Sequence, residues 1–249
     1  MIRTESRYLQ VAEALRAQIQ GLGPNSLLPT EQQLTKRFGV SRVTVRRALG
    51  LLERSGLVSR QRGRGTIVSP PKITRRFSPF YPFEEDLWQQ GIKFETRVVD
   101  YDPAATPPEI IRARLRLPPG SPVGFLSLAR LVDDRIICHD RRHFHPVVAA
   151  RFDRSLVQDR AVSEILAELV GMRITAADWE SEIIPSSREV AAVLGLTPGA
   201  LIVANTFTYY LEDGSPIEAG VMSYRIDRCK FQFAGRFGEL LPGASSPQR

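Results

Sequence analysis

The run from Leu28 to Val68 constrains this chain more than any other stretch. Thr30 precedes an apolar pair, Leu34 and Phe38, and Gln33 follows Thr30 by three residues, the spacing of a capping box at a helix start. Gly39 is placed to end that helix. Ser41 then caps a further helix reaching about Ser55, whose Val45, Ala48, Leu49 and Leu52 share one face, and Gly56 stops it. Two helices joined by so few residues form a helix-turn-helix. Upstream, Tyr8, Val11, Ala12, Leu15 and Ile19 recur at helical spacing until Gly21, Gly23 and Pro24. Downstream, Leu57–Arg60 and Thr66–Val68 alternate as two short strands around Gln61-Arg62-Gly63-Arg64-Gly65. Three helices and a basic hairpin make a winged helix-turn-helix.

Charge says what such a module meets. Residues 1–69 carry 12 Arg/Lys against four acids, whereas the remaining 180 residues carry 22 against 23. All the excess positive charge therefore lies in the first quarter, as a polyanion partner requires, because neutralised phosphates release counterions. In a helix-turn-helix the first turn of the second helix enters the major groove. Here that turn presents Ser41, Arg42, Val43, Thr44 and Arg46. Arginine bridges guanine edges or phosphates, and threonine offers a hydroxyl and a methyl group. Ser41 and the free amides beside it suit a phosphate. Arg62 and Arg64 at the hairpin tip are within reach of a minor groove or the backbone. A merely solvated basic hairpin is the alternative, but caps, helix pair and charge all favour duplex DNA.

The two cysteines, Cys138 and Cys229, form no CxxC pair, so a reducing compartment is expected. The polar start MIRTESRYLQ is unlike a signal peptide, and no apolar run is long enough to span a bilayer. The expectation is a soluble, cytoplasmic protein without membrane partners.

PTEQQL, VSRVTVRRAL, LERSGLV and RGRGT resemble the DNA-binding domain of the GntR family of bacterial transcription regulators over residues 8–68. The resemblance implies that Gln32, Ser41, Arg42, Thr44, Arg46, Arg62 and Gly63 touch DNA; Arg64 joins them from its place at the tip. Arg47 and Arg54 read as phosphate neighbours or solvated side chains.

Ser69-Pro70-Pro71-Lys72 breaks all periodicity, and consecutive prolines make a stiff connector. The expected division is a DNA-binding domain at 1–69, a linker at 70–74 and a second domain at 75–249. A weak repeat runs through the latter: Leu115-Arg116-Leu117-Pro118-Pro119-Gly120 returns 79 positions later as Leu194-Gly195-Leu196-Thr197-Pro198-Gly199. Each copy follows a helix-like stretch, Glu109–Leu115 or Ser187–Leu194. Each precedes an apolar strand (Val123–Leu131, Leu201–Tyr210), an acidic turn and another strand. Strands at Ile92–Tyr101 and Arg173–Ile184 and a helix at Val162–Val170 complete an α+β domain on an antiparallel sheet. This order resembles the UTRA effector-binding domain of the HutC subfamily of GntR regulators, with its chorismate lyase-like fold. It does so through Phe80-x-x-Phe83, Ala129-Arg130-Leu131, Asp213-Gly214-Ser215-Pro216-Ile217-Glu218 and Tyr224-Arg225-x-Asp227-Arg228.

That resemblance implies a small effector bound between the halves, pairing of the domains into dimers, and contacts from Arg130, Ser163, Glu218 and Tyr224. The chain departs from the family pattern at Val132, Arg141 and Ile165. Arg130 and Arg141 on neighbouring strands suit a carboxylate, phosphate or phosphonate; a salt bridge is equally open to Arg141. Cys138, His139, His143 and His145 cluster as soft and imidazole ligands of a metal ion would, yet on a strand His139, His143 and His145 share one face, Cys138 points away, and no second ligand set accompanies them. They therefore read as packed or effector-contacting side chains, His143 among the latter, and no metal or cofactor is expected. No GxSxG, HExxH or P-loop is present, so catalysis is not expected. The sequence reads as a homodimeric, effector-controlled repressor binding an operator, with an enzyme tethered to DNA and a non-specific DNA-coating protein as rivals.

Overall fold

The computed structural model describes residues 6–61, 63–77, 82–158 and 160–233. The chain divides into two units: residues up to Ile73 with Arg225–Lys230, and Thr74–Tyr224 with the chain from Phe231.

In the first unit, α1 (Arg7–Gln20), α2 (Glu31–Phe38) and α3 (Arg42–Arg54) are followed by β1 (Val58–Gln61) and β2 (Gly65–Val68). Thr30 and Gln33 form both bonds of the capping box: the Gln33 amide donates to Thr30 Oγ1, and the Thr30 amide to Gln33 Oε1 at 2.8 Å. Gly39 ends α2 in the left-handed region at φ 61°, which glycine enters without Cβ strain. Ser41 Oγ then accepts from the Thr44 amide and starts α3. The apolar faces of all three helices converge on Leu15, Leu34, Leu49 and Leu52, with Val58 and Val68 closing the core from the hairpin and Phe38 partly buried against it. Each fully buried leucine contributes about 1.5–3 kcal/mol by leaving water.

Beyond the hairpin, β3 (Ile73–Phe77) and α4 (Phe83–Gln89) lead into β4 (Glu95–Ala105), α5 (Glu109–Arg114), β5 (Val123–Val132) and β6 (Arg135–Phe144). Then come α6 (Pro146–Ala149), a 3-10 turn (Arg154–Gln158), α7 (Val162–Val170), β7 (Ile174–Pro185), α8 (Arg188–Leu194), β8 (Leu201–Leu211), β9 (Pro216–Arg225) and β10 (Cys229–Phe233). Six strands form one sheet in the order β4-β5-β6-β9-β8-β7, and β3 pairs with β10 separately. The two repeat copies are the β5–β6 and β8–β9 hairpins, each preceded by a helix, and they meet at the antiparallel β6–β9 seam. Asp133 and Asp134, both at positive φ, make the tight turn between β5 and β6 that the acidic dipeptide signalled.

Cross-strand partners share a face of a sheet and successive residues alternate. One face therefore carries Thr96, Arg130, Asp140, Arg142, Glu218 and Tyr224, and α4 covers it through Glu84 at Arg130 and α6 through Ala149 beside Phe144. The opposite face carries Ser127, His139, Arg141 and His143. There α5 packs Ile111 and Leu115 on Val123 and Ala219, and α8 sets Glu189 near Arg141.

Candidate DNA-binding surface and effector site

The DNA-facing candidates follow from how α2 and α3 are capped. Ser41 satisfies one amide of the first turn of α3, and the Arg42 and Val43 amides have no partner inside the helix. Gln32, Ser41, Arg42 and Arg46 are exposed, and Thr44 is half-buried with its hydroxyl 3.0 Å from Ser41 Oγ. Val43 is 64% exposed, an apolar side chain held in water between Arg42 and Thr44. Such a group matches a thymine methyl. Arg46 is not free: its Nε donates to Glu31 Oε2 at 2.9 Å, which ties the recognition helix to the start of α2. Arg60 reaches the Arg46 carbonyl and lies 3.5 Å from Glu53. Gly63 and Arg64 stand exposed at the hairpin tip; Arg62 lies outside the described residues.

In the second unit the sheet divides the six expected effector contacts. Arg130, Glu218 and Tyr224 are buried on the face under α4 and α6. Arg130 donates to Thr96 Oγ1 at 2.6 Å, lies 2.7 Å from Glu84 Oε1 and 3.6 Å from Asp140. Asp140 also accepts from Arg142 Nε at 2.7 Å, and Arg142 donates to Glu218 Oε1 at 2.6 Å. Two guanidinium groups thus face three carboxylates in a buried layer. Burial pushes the Glu218 carboxyl up to about 7, with the negative charges of Asp140 and Glu84 adding to the rise and Arg142 opposing it. Tyr224 is raised by burial and stacks edge-on against Phe231. Arg75 pairs with Asp86 alongside. Glu218 Oε2, Asp140 Oδ1, Arg130 Nε and both amide atoms of Asn205 are buried without a hydrogen-bond partner, polar capacity that a ligand would satisfy.

Ser163 stands in the first turn of α7 and lines a cavity of about 320 Å³ with Pro82, Glu164, Arg173 and Tyr209. Tyr209 lies on the Arg130–Glu218 side of the sheet, since Phe207, two residues before it, packs against Gly220 and under the Arg142 guanidinium.

Arg141 and His143 lie on the other face, so the paired clasp expected of Arg130 and Arg141 does not form. The reason is strand alternation: Arg130 is level with Cys138, and the cross-strand neighbours that share its side are Asp140 and Arg142. Arg141 is half-buried, 3.7 Å from Glu189. His143 stacks on Phe125 with ring centroids 5.1 Å apart, and burial pushes its imidazole down to about 4. His139 bonds Ser127 Oγ at 2.8 Å and is lowered by burial and by Arg141. His145 does not continue the strand pattern: β6 ends at Phe144, and His145 caps α6 by accepting from the Val147 amide. Among the described residues no group of three His, Cys, Asp or Glu is arranged to hold a metal ion. Glu84, Asp140 and Arg142, central to the buried network, escaped sequence reasoning. The signal for Asp140 and Arg142 was the parity of β6 relative to β5, hidden by a register shift after Arg130; Glu84 comes from α4, whose place over the sheet no local pattern gives.

A capped helix pair with a basic hairpin, joined to an α+β unit holding a polar buried layer beside a cavity, defines a DNA-binding transcription regulator with a small-molecule-sensing domain. Residues 7–68 match the model of the bacterial regulatory proteins of the gntR family, and residues 89–230 match the UTRA domain. The chain belongs to the GntR family and has its HutC-type architecture. It is 31% identical over 226 residues to the HTH-type transcriptional repressor NagR of Bacillus subtilis (strain 168), covering 90% of this chain and 92% of that one. It is also 31% identical over 245 residues to the HTH-type transcriptional regulator Rv0792c of Mycobacterium tuberculosis, covering 95% and 88%. In fold it is similar to the crystal structure of PhnF from Mycobacterium smegmatis, with a TM-score of 0.61 at 23% identity over 91% of this chain and 99% of that one. The family and these relatives are regulators rather than enzymes. No helix among the described residues is long and apolar enough to cross a membrane.

Proposed function

We propose that the protein is a homodimeric, cytoplasmic repressor whose grip on a pseudo-palindromic operator is set by a small metabolite bearing an anionic group. Residues 1–69 would read the DNA, 70–74 connect, and 75–249 bind the effector and the second copy. Gln32, Ser41, Arg42, Thr44, Arg46, Gly63 and Arg64 would contact the duplex. The effector would occupy the cavity at Ser163, with Arg173 drawing its anionic group and the Arg130–Arg142–Glu218 layer reading its polar groups. The observation that carries this reading is the cavity itself, opening at Ser163 on the same side of the sheet as a buried layer with unsatisfied polar atoms. The repressor sense is supported by relatives named as repressors, NagR among them. Control needs an effector that binds two arrangements of the protein with different affinity, since equal binding shifts nothing.

Selection of operator from random duplexes, followed by anisotropy titration, tests the DNA half. A two-half-site consensus is expected, whereas binding that depends on salt but not on sequence would mark a DNA-coating protein instead. For the effector half, small organic anions are screened by thermal shift, and the hits are retitrated against operator complexes. A hit that leaves operator affinity unchanged, or that binds Ser163→Ala and Arg173→Ala as well as the parent, would refute the assigned site.

A further inference from the structure

The internal repeat exposes a position where the two halves differ in chemistry but not in backbone. After α8, Gly195 takes φ 64°, the left-handed conformation that ends many helices. After α5 the matching residue, Arg116, takes φ 52°, a region that L side chains seldom enter. An arginine therefore occupies a place where glycine fits without strain and where the second copy of the motif has one. Backbone strain of this kind persists only where the surroundings hold it in place, and it clusters at binding sites.

Arg116 borders a groove of about 530 Å³ at the end of the sheet where β8 turns into β9. Its floor is apolar, with Leu115, Ile217 and Met172 among its lining, and its polar wall holds Arg116, Arg151 and His145. No aspartate or glutamate lines it. Among the described residues neither arginine makes an ion pair with a carboxylate. Arg116 reaches the Gly214 carbonyl at 3.3 Å and lies over the Tyr210 ring, and Arg151 reaches the Val147 carbonyl at 3.4 Å. The nearby Asp213 is turned to Ser215, accepting from both its amide and its hydroxyl. His145 Nδ1 accepts from the Val147 amide, so in the neutral ring the proton sits on Nε2 and remains a donor. The groove shares no lining residue with the Ser163 cavity.

We infer that this groove is a second small-molecule site, taking an organic anion with an apolar body, such as a medium-chain or aromatic carboxylate. The apolar part covers Leu115, Met172 and Ile217, and the carboxylate meets the Arg116 and Arg151 guanidinium groups, with His145 Nε2–H as a further donor. Charge complementarity selects this occupant: positive donors meet an apolar floor with no acid to neutralise them.

The test titrates the full chain with octanoate and benzoate by calorimetry at fixed ionic strength, with octanol as the neutral control. Saturable binding of a carboxylate and much weaker binding of octanol are expected. Arg116→Gly should weaken binding by roughly tenfold or more, the loss of a charge-assisted bond. Because glycine suits the left-handed backbone, the same variant should keep or raise Tm, which separates lost binding from lost folding. Arg151→Ala should also weaken the carboxylate, and Met172→Trp should fill the groove and block it. Absence of saturable binding by either carboxylate, or undiminished affinity in Arg116→Gly, would overturn the inference. So would a change in self-association of Arg116→Gly without any carboxylate binding, which would assign the groove to a second copy of the chain. Operator binding plays no part in these readouts, so they stand apart from the proposed regulatory function.

Discussion

At the scale of single residues, the recognition helix separates readers from holders. Arg42 has no ion-pair partner among the described residues, whereas Arg46 is bound to Glu31. Arg42→Ala should therefore relax operator preference by about 1–3 kcal/mol at one base pair, while Arg54→Ala should weaken binding evenly across sequences. Competition titrations with single-base operator variants distinguish the two. Sequence reading placed these side chains because helix caps and periodicity are local. It set Arg141 beside Arg130, and the structure separates them because the face a strand residue presents depends on its partner strand. One residue further on, Arg142 is the guanidinium that bonds Asp140 and Glu218.

At the scale of elements, caps and turns decide where helices begin and end. Ser41 holds the Thr44 amide, and Ser41→Ala should cost about 1 kcal/mol, seen as a lower urea midpoint of the DNA-binding unit. Because Ser41 is also a proposed phosphate contact, operator affinity should fall by more than the stability loss explains. Leu49 is 1% exposed between the three helices, so Leu49→Ala should destabilise by about 2–5 kcal/mol through lost burial and a residual cavity. The helix-strand-strand repeat was readable because its turn signals, Asp133-Asp134 and the LxLxPG pair, are local chemistry. The end of β6 was not: His145 looked like the next strand residue, and Pro146 with the α6 cap removed it from the ladder.

At the scale of the whole molecule, buried titrating groups on the two sheet faces oppose each other. Glu218 is raised from 4.5 to about 7, so the stability associated with its protonated form is complete below 4.5 and lost as pH rises through 7. His143 is lowered from 6.5 to about 4, so its contribution is complete above 6.5 and lost as pH falls through 4. Between about 4.5 and 6.5 the two slopes partly cancel. Glu218→Gln should leave the histidine slope, giving stability that climbs with pH across this window. His143→Leu should leave the carboxyl slope, giving stability that falls with pH. Urea midpoints taken from pH 4 to 7.5 would show both, and identical profiles in parent and variants would contradict the assignment. The sequence by itself determined the helix-turn-helix, the concentration of positive charge in its quarter of the chain and the repeat behind the two prolines. Each rests on caps, turns or periodicities that span only a few residues. Only the tertiary structure decided which charges meet, because strand register, and the bulge that shifts it after Arg130, send neighbouring residues to opposite sides of one sheet.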